Sequence, residues 1–321
     1  MAKIVAIGEL LIDFTPHGRA SASNLIYKCN PGGAPANVLA MAAKLGVETA
    51  MIAKVGEDGF GDFLIESLQK ERIDVSAVSR TREALTTLAF VTLDGNGNRS
   101  FSFSRKPGAD ILLNEDDVPL SLISQARIFH FGSLSFTDEP ARSATLKALE
   151  AAKENNLIIS YDPNLRPALW ADLDEARRQM RVGLSYADIV KISEEELSFI
   201  SQCQDFEEGI QWFCENGVSV FFVTLGEKGC YYRWHDYKGF LPAYDTVAVD
   251  TTGAGDSFMG AVLYRICDAG REELSGFSRE MVEEIADFAN AAGALTVRKK
   301  GAIPALPALK DILRCMKNSR R

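Results

Sequence analysis

The sequence predicts an α/β protein: a mainly parallel sheet covered by helices on both faces, with a small β lid. Three observations carry this. Apolar runs bounded by Gly, Pro, Asn or Asp recur along the chain, helical patterns lie between most of them, and one glycine-rich segment breaks the alternation. Strands that are apolar almost throughout are buried on both faces, and strands alternating with helices run parallel.

In chain order the strand-like runs are Lys3–Phe14, Glu48–Val55, Ala126–Leu134, Leu157–Asp162, Asp188–Ile192 and Val218–Leu225. The helical patterns between them are Ala34–Leu45, Asp58–Glu71, Glu139–Asn155, Leu173–Leu184 and Phe206–Asn216. The exception is a hairpin, Leu88–Leu93 and Arg99–Phe103, joined by Asp94-Gly95-Asn96-Gly97-Asn98, residues that tolerate positive φ. A second irregular stretch, about Thr15–Asn30, is expected to pair with it over the strand ends, where ligands of such folds bind. The expected organisation is one domain over 1–321 with lid insertions at about 15–30 and 85–108, ending in a frayed tail over Lys317–Arg321.

Composition narrows the function. A net charge of −9 and a pI near 5.1 argue against nucleic acid as a partner. No apolar stretch approaches the ~20 residues of a membrane span. The opening MAKIVAIGELLIDF contains Glu9 and Asp13 and reads as a first strand rather than a signal peptide. The six cysteines are scattered, without a C-x-x-C pair, as reduced thiols of a cytoplasmic protein would be.

The most informative stretch is Asp250-Thr251-Thr252-Gly253-Ala254-Gly255-Asp256. It joins a strand end to a helix over Ser257–Cys267. The small residues Gly253, Ala254 and Gly255 let backbone N–H groups approach a ligand, and the helix adds its positive dipole end. This is an anion hole without the G-K-[ST] of a Walker A loop. Asp256 in the first turn can accept a proton from a hydroxyl while the amides take up charge on a transferring phosphoryl group. A first-turn structural charge is the competing reading.

Here the chain resembles the ribokinase (pfkB-type) carbohydrate kinases nearly end to end. D-T-T-G-A-G-D matches that family's C-terminal signature, and Gly32-Gly33-Ala34-Pro35-Ala36-Asn37 its N-terminal one. The resemblance implies a ribokinase-like fold, ATP as phosphoryl donor, Asp256 as base and Gly253, Ala254 and Gly255 as anion hole. It assigns Asp13, Gly32, Gly33 and Asn37 to the sugar. Their donors and acceptors suit vicinal hydroxyls. Strand Leu157–Tyr161 ends in Asp162-Pro163-Asn164-Leu165-Arg166, presenting the three polar groups Asp162, Asn164 and Arg166 at a strand end. Phe103 and Arg105, from the hairpin's return strand, are expected to cover the substrate.

On the nucleotide side the family's N-x-x-E pattern falls on Ser193-Glu194-Glu195-Glu196, with Ser193 where Asn is usual, next to Lys191. The resemblance gives Glu196 a role in organising Mg2+ through water. It gives Thr224, Gly226 and Gly229 the nucleotide-phosphate loop, and Asn290 and Gly293 the adenine side. Asp250 and Thr252, with carbonyls around Lys299–Ala302, resemble a monovalent-cation site for K+. The D-P-N-L-R-P-A-L-W and R-x-P-G-A-D stretches look most like fructokinases, which phosphorylate fructose to fructose 6-phosphate. Kinases of 2-keto-3-deoxygluconate and of aminoimidazole riboside share parts of them. Other classes are a non-catalytic regulatory subunit of this fold, disfavoured by the intact Gly253–Asp256 run, and a dinucleotide oxidoreductase, which lacks its G-x-G-x-x-G after the first strand. A homodimer through the lid is a further expectation.

Overall fold

The computed structural model describes residues 1–21, 24–93 and 99–319. The strands are β1 (Ile4–Ile7), β2 (Leu11–Ser21), β3 (Asn24–Gly32), β4 (Thr49–Gly56), β5 (Ile73–Thr81), β6 (Leu88–Leu93), β7 (Arg99–Ser104), β8 (Ile128–Phe131), β9 (Ile158–Tyr161), β10 (Ile189–Ser193), β11 (Val220–Thr224), β12 (Gly229–Trp234) and β13 (Tyr237–Pro242). The helices are α1 (Ala34–Lys44), α2 (Gly59–Lys70), α3 (Leu120–Ser124), α4 (Ala141–Glu154), α5 (Leu173–Leu184), α6 (Glu194–Ser201), α7 (Phe206–Glu215), α8 (Ala254–Ile266), α9 (Arg279–Thr296) and α10 (Leu309–Ser319).

Nine strands form the main sheet in the order β13-β12-β11-β10-β9-β8-β1-β4-β5. From β5 to β11 every pairing is parallel, and β12 and β13 add an antiparallel edge. One face packs on α1, α8 and α9 through residues such as Val38, Met41, Val262 and Phe288. The other packs on α4, α5 and α7 through Phe129, Leu149, Met180 and Phe213. Residues of β1, β4, β8 and β9 are buried without exception, which is why their sequence shows no alternation.

The second sheet has four strands, β3-β2-β6-β7, and its two hairpins join through a parallel β2–β6 pairing. The stretch expected to be irregular at Thr15–Asn30 is therefore mostly strand. The turn over Asp94–Asn98 lies outside the described residues. A second correction concerns the first apolar run, which is two strands. Gly8 (φ 149°) breaks it, so β1 stays in the main sheet and β2 leaves for the small one. Asp13 consequently belongs to the small sheet and does not close the first main strand. Of the expected tail over Lys317–Arg321, the described residues, to Ser319, form the end of α10.

Helix α8 is buried along most of its length because it lies between α1 and α9 on one face of the main sheet. Gly260 permits this: a Cβ there would stand 2.6 Å from both Met41 Cβ and Val38 O on α1. That close crossing brings Asn37, a turn before Met41, against Asp256, a turn before Gly260.

Candidate active site

Asp256 lies in the first turn of α8, almost wholly buried at 7 % exposure. Asn37 Nδ2 donates to its Oδ2 at 2.8 Å, and Asn164 Nδ2 donates to its Oδ1 at 3.2 Å. Burial raises the Asp256 pKa, while Lys191, Asn37, Arg166 and Asn164 pull it back down. A buried carboxylate so balanced stays a usable proton acceptor.

The turn before the helix depends on Gly253, whose φ of 78° is left-handed and where a Cβ would stand 2.7 Å from that of Ala302. The first amides of a helix lack intrahelical acceptors. Among the described residues Ala254 N is drawn aside to Thr251 O at 3.3 Å, and Ser257 N donates to Gly253 O at 2.8 Å. The amides of Gly253, Gly255 and Asp256 remain to face a ligand anion.

A cavity of about 390 Å³ opens beside this turn. It gathers Asp13, Gly33, Asn37, Phe103, Arg166, Lys191, Thr252, Gly253, Gly255 and Asp256 from the sequence expectations, and adds Glu9 and Asn164. Ala254 and Gly32 adjoin lining residues and do not line it themselves. A side chain at position 32 would collide with the Asp13 carboxylate. Burial pushes Asp13 up to about 7, with Asp256 and Asp250 adding to the rise and Arg166 opposing it. Asn37 Oδ1 is buried and makes no hydrogen bond among the described residues, which leaves an acceptor for a ligand hydroxyl.

Behind the cavity, Lys191 Nζ donates to Asp162 Oδ2 at 2.7 Å, with both side chains buried. Burial raises the Asp162 carboxyl. It also works against the Lys191 charge, but Asp162, Glu196 and Asp256 outweigh it and hold the lysine above its ordinary value. The ammonium lies close behind Gly255, where a Cβ would stand 2.7 Å from Nζ. Asp162 therefore serves Lys191 and does not line the cavity.

Several expected site residues have protein partners outside the cavity. Arg105 does not reach the cavity: its Nε donates to Asp110 Oδ2 at 2.7 Å, and its other nitrogens donate to Thr137 Oγ1 at 2.9 Å and Leu134 O at 3.0 Å. It ties the small sheet's exit to the loop after β8. Ser193 is the N-cap of α6 in a reciprocal pair with Glu196: Ser193 Oγ accepts from Glu196 N at 3.1 Å, and Glu196 Oε2 accepts from Ser193 N at 2.8 Å. Glu196 Oε1 accepts from Leu165 N at 2.7 Å. Thr224 Oγ1 donates to Ile192 O at 3.3 Å, Gly226 begins the turn between β11 and β12, and Gly229 is closed in by Leu241 and Ala243. Asn290 Nδ2 is spent on Leu241 O and Pro242 O at 3.3 and 3.4 Å, and Gly293 backs onto Ala254 O. The cavity does not extend to these five positions.

Asp250 bridges two segments, its Oδ1 accepting from Thr252 N at 2.8 Å and its Oδ2 from Gly301 N at 3.0 Å. The structure thus brings Asp250, Thr252 and the 299–302 segment together beside the helix start. Glu9 had no expected site role, and Asn164 was expected only as one of three polar groups at a strand end. Glu9 Oε1 accepts from Ala34 N at 2.8 Å at the start of α1, and burial pushes it up to about 7. Its signal was an acid inside an otherwise apolar run.

A family model described as pfkB family carbohydrate kinase matches residues 1–309. The chain is 43% identical over 319 residues to Fructokinase-1 of Oryza sativa subsp. japonica, covering 98% of each. A fructokinase with bound ATP from Xylella fastidiosa superposes with a TM-score of 0.93 at 32% identity, covering 100% of both chains. A fructokinase double mutant from Vibrio cholerae O395, bound to fructose, ADP and potassium ion, gives 0.89 at 32% identity, with 98% of each chain covered.

Proposed function

We infer that this chain, which belongs to the pfkB family of carbohydrate kinases, is an ATP-dependent fructokinase. The observation that carries the chemistry is the buried Asp256 carboxylate at the start of α8, beside free first-turn amides in a cavity lined by polar groups. Asp256 takes the proton from the acceptor hydroxyl as the hydroxyl oxygen attacks the γ-phosphorus. The bond from that phosphorus to the bridging oxygen of ADP breaks. The amides of Gly253 and Gly255, with Lys191 behind them, stabilise the charge on the transferring group. Asp13, Asn37 and Arg166 orient the sugar, with Phe103 as an apolar cover. The acceptor position we propose is O6.

Gly293 backs onto the start of α8, and Thr224, Gly226, Gly229, Asn290 and Gly293 are proposed to contact ATP. Asp250, Thr252 and the 299–302 carbonyls supply the hard oxygen donors that K+ prefers, and we place K+ there. No cluster of three or more acidic or His/Cys ligands occurs among the described residues. Mg2+ keeps much of its water and is held chiefly by substrate phosphates with a carboxylate nearby, and we propose Glu196 as that carboxylate. Bound there, Mg2+ would neutralise phosphate charge.

The small sheet is proposed to close over the sugar and exclude water from the γ-phosphate. Its edge strand β3 exposes Leu25 (57 %) and Ile26 (40 %), an apolar edge suited to a second copy of this chain. Sedimentation showing only monomer at assay concentration would reject that dimer. No described helix is long and apolar enough to cross a membrane. The six cysteines are free thiols, and we place the enzyme in the cytoplasm.

Coupled ADP-release assays on fructose, ribose, 2-keto-3-deoxygluconate and aminoimidazole riboside test the substrate. Fructose should give the highest kcat/KM. A higher value for 2-keto-3-deoxygluconate would assign Arg166 to an acid group and overturn fructose as the preferred acceptor.

A further inference from the structure

We infer that Asn164 is a positioning residue that aligns the Asp256 carboxylate for proton abstraction, and that Glu196 holds Asn164 in place through Leu165. The inference rests on the fructokinase reading above.

Three elements converge on the base. Asp256 comes from α8, Asn37 from α1 and Asn164 from the loop after β9. Each carboxylate oxygen of Asp256 receives one amide N–H, Asn37 on Oδ2 at 2.8 Å and Asn164 on Oδ1 at 3.2 Å. Two donors on two oxygens fix the carboxylate plane and leave lone pairs on both oxygens to receive a proton.

Asn164 has φ 54°, in the left-handed region that Asn tolerates better than most residues. The loop holding it there is pinned on both sides. Ser133 N donates to Pro163 O at 3.0 Å, and Leu165 N donates to Glu196 Oε1 at 2.7 Å. Glu196 is itself anchored by Ser193 N on its other oxygen, at 2.8 Å. The chain Ser193–Glu196–Leu165–Asn164–Asp256 therefore links the start of α6 on the nucleotide side to the base.

The amide is the fitting group for this task. The charged groups facing Asp256 are Lys191 from β10, Arg166 from the same loop as Asn164, Asp13 from β2 and Asp162 from the end of β9. Another acid at 164 would add repulsion, and another base would form an ion pair that weakens proton affinity. An uncharged N–H donor favours the ionised carboxylate without either cost.

Asn164→Gly removes the donor and keeps the left-handed backbone accessible. We expect kcat to fall about tenfold or more, the loss of one hydrogen bond to a charged group, with fructose KM moving much less. The acid limb of the kcat–pH profile should move to higher pH, because the base loses a donor to its ionised form. Glu196→Ala should move that limb the same way, and its effect should not add to that of Asn164→Gly in the double variant. Unchanged kcat and acid limb in Asn164→Gly, or a change in KM alone, would overturn the positioning role. Additive losses with an unmoved limb in Glu196→Ala would overturn the part given to Glu196. A wild type inactive on fructose would instead overturn the functional reading on which both rest.

Discussion

Asp256→Asn is expected to lower kcat by at least about two orders of magnitude, the range general-base catalysis contributes. Size and position in the first turn of α8 are retained, so ATP and fructose should bind nearly as in the wild type. The substitution is chemically specific. Asn37 and Asn164 both present N–H groups to the carboxylate oxygens, and an amide at 256 can accept from only one of them through its oxygen. Its NH2 group must face the other donor, which costs some stability locally. Melting temperature measured beside kcat separates the effects. A chemical role predicts a large loss of kcat with a small drop in melting temperature. A structural first-turn charge predicts the reverse, and an active but less stable Asp256→Asn enzyme would remove Asp256 from the mechanism.

The parts of this site legible in the sequence are those whose chemistry is local. Gly253, Ala254, Gly255 and Asp256 are consecutive, and strand end, glycine turn and acid read as one device. The β3–α1 junction with Gly32, Gly33 and Asn37 is equally local. What escaped is set by tertiary packing. Asn164 meets Asp256 across 92 positions, and only the fold shows that the loop after β9 ends at the start of α8. Arg105 looked like a free lid donor because its partners Asp110, Thr137 and Leu134 belong to turns with no periodic signal. The split between β1 and β2 was hidden because apolar residues flank Gly8 on both sides, Ile4–Ile7 before it and Leu10–Ile12 after it, although the backbone turns there. Glu196 read as a dipole-favoured acid, and its bond to Leu165 N depends on the β9–α5–β10 crossover of the parallel sheet.

Lys191→Met should be the most destabilising single change in the site. The ammonium and the Asp162 carboxylate are 7 % and 2 % exposed and meet at 2.7 Å. Removing one member of a buried pair leaves the other charge uncompensated, typically at a cost of about 3–5 kcal/mol, or a melting-temperature drop of roughly 5–10 °C for a domain of this size. The loss should depend on pH in a definite direction. Burial already raises Asp162 in the wild type, and without Lys191 the repulsion from Glu196 and Asp256 raises it further. A carboxyl whose folded pKa is raised binds more protons in the folded state, so its penalty is absent below the unfolded pKa and grows as pH rises towards the folded one. The gap in melting temperature between wild type and Lys191→Met should therefore be narrow near pH 5 and wide near pH 8. Adding Asp162→Leu should restore much of the stability at pH 8, since an apolar pair has no charge to strand. Activity should stay low in both variants, because the positive charge behind Gly255 is gone in each. A melting temperature at pH 8 equal to the wild type would mean the pair is open to water, and recovery of kcat in the double variant would remove Lys191 from phosphoryl transfer.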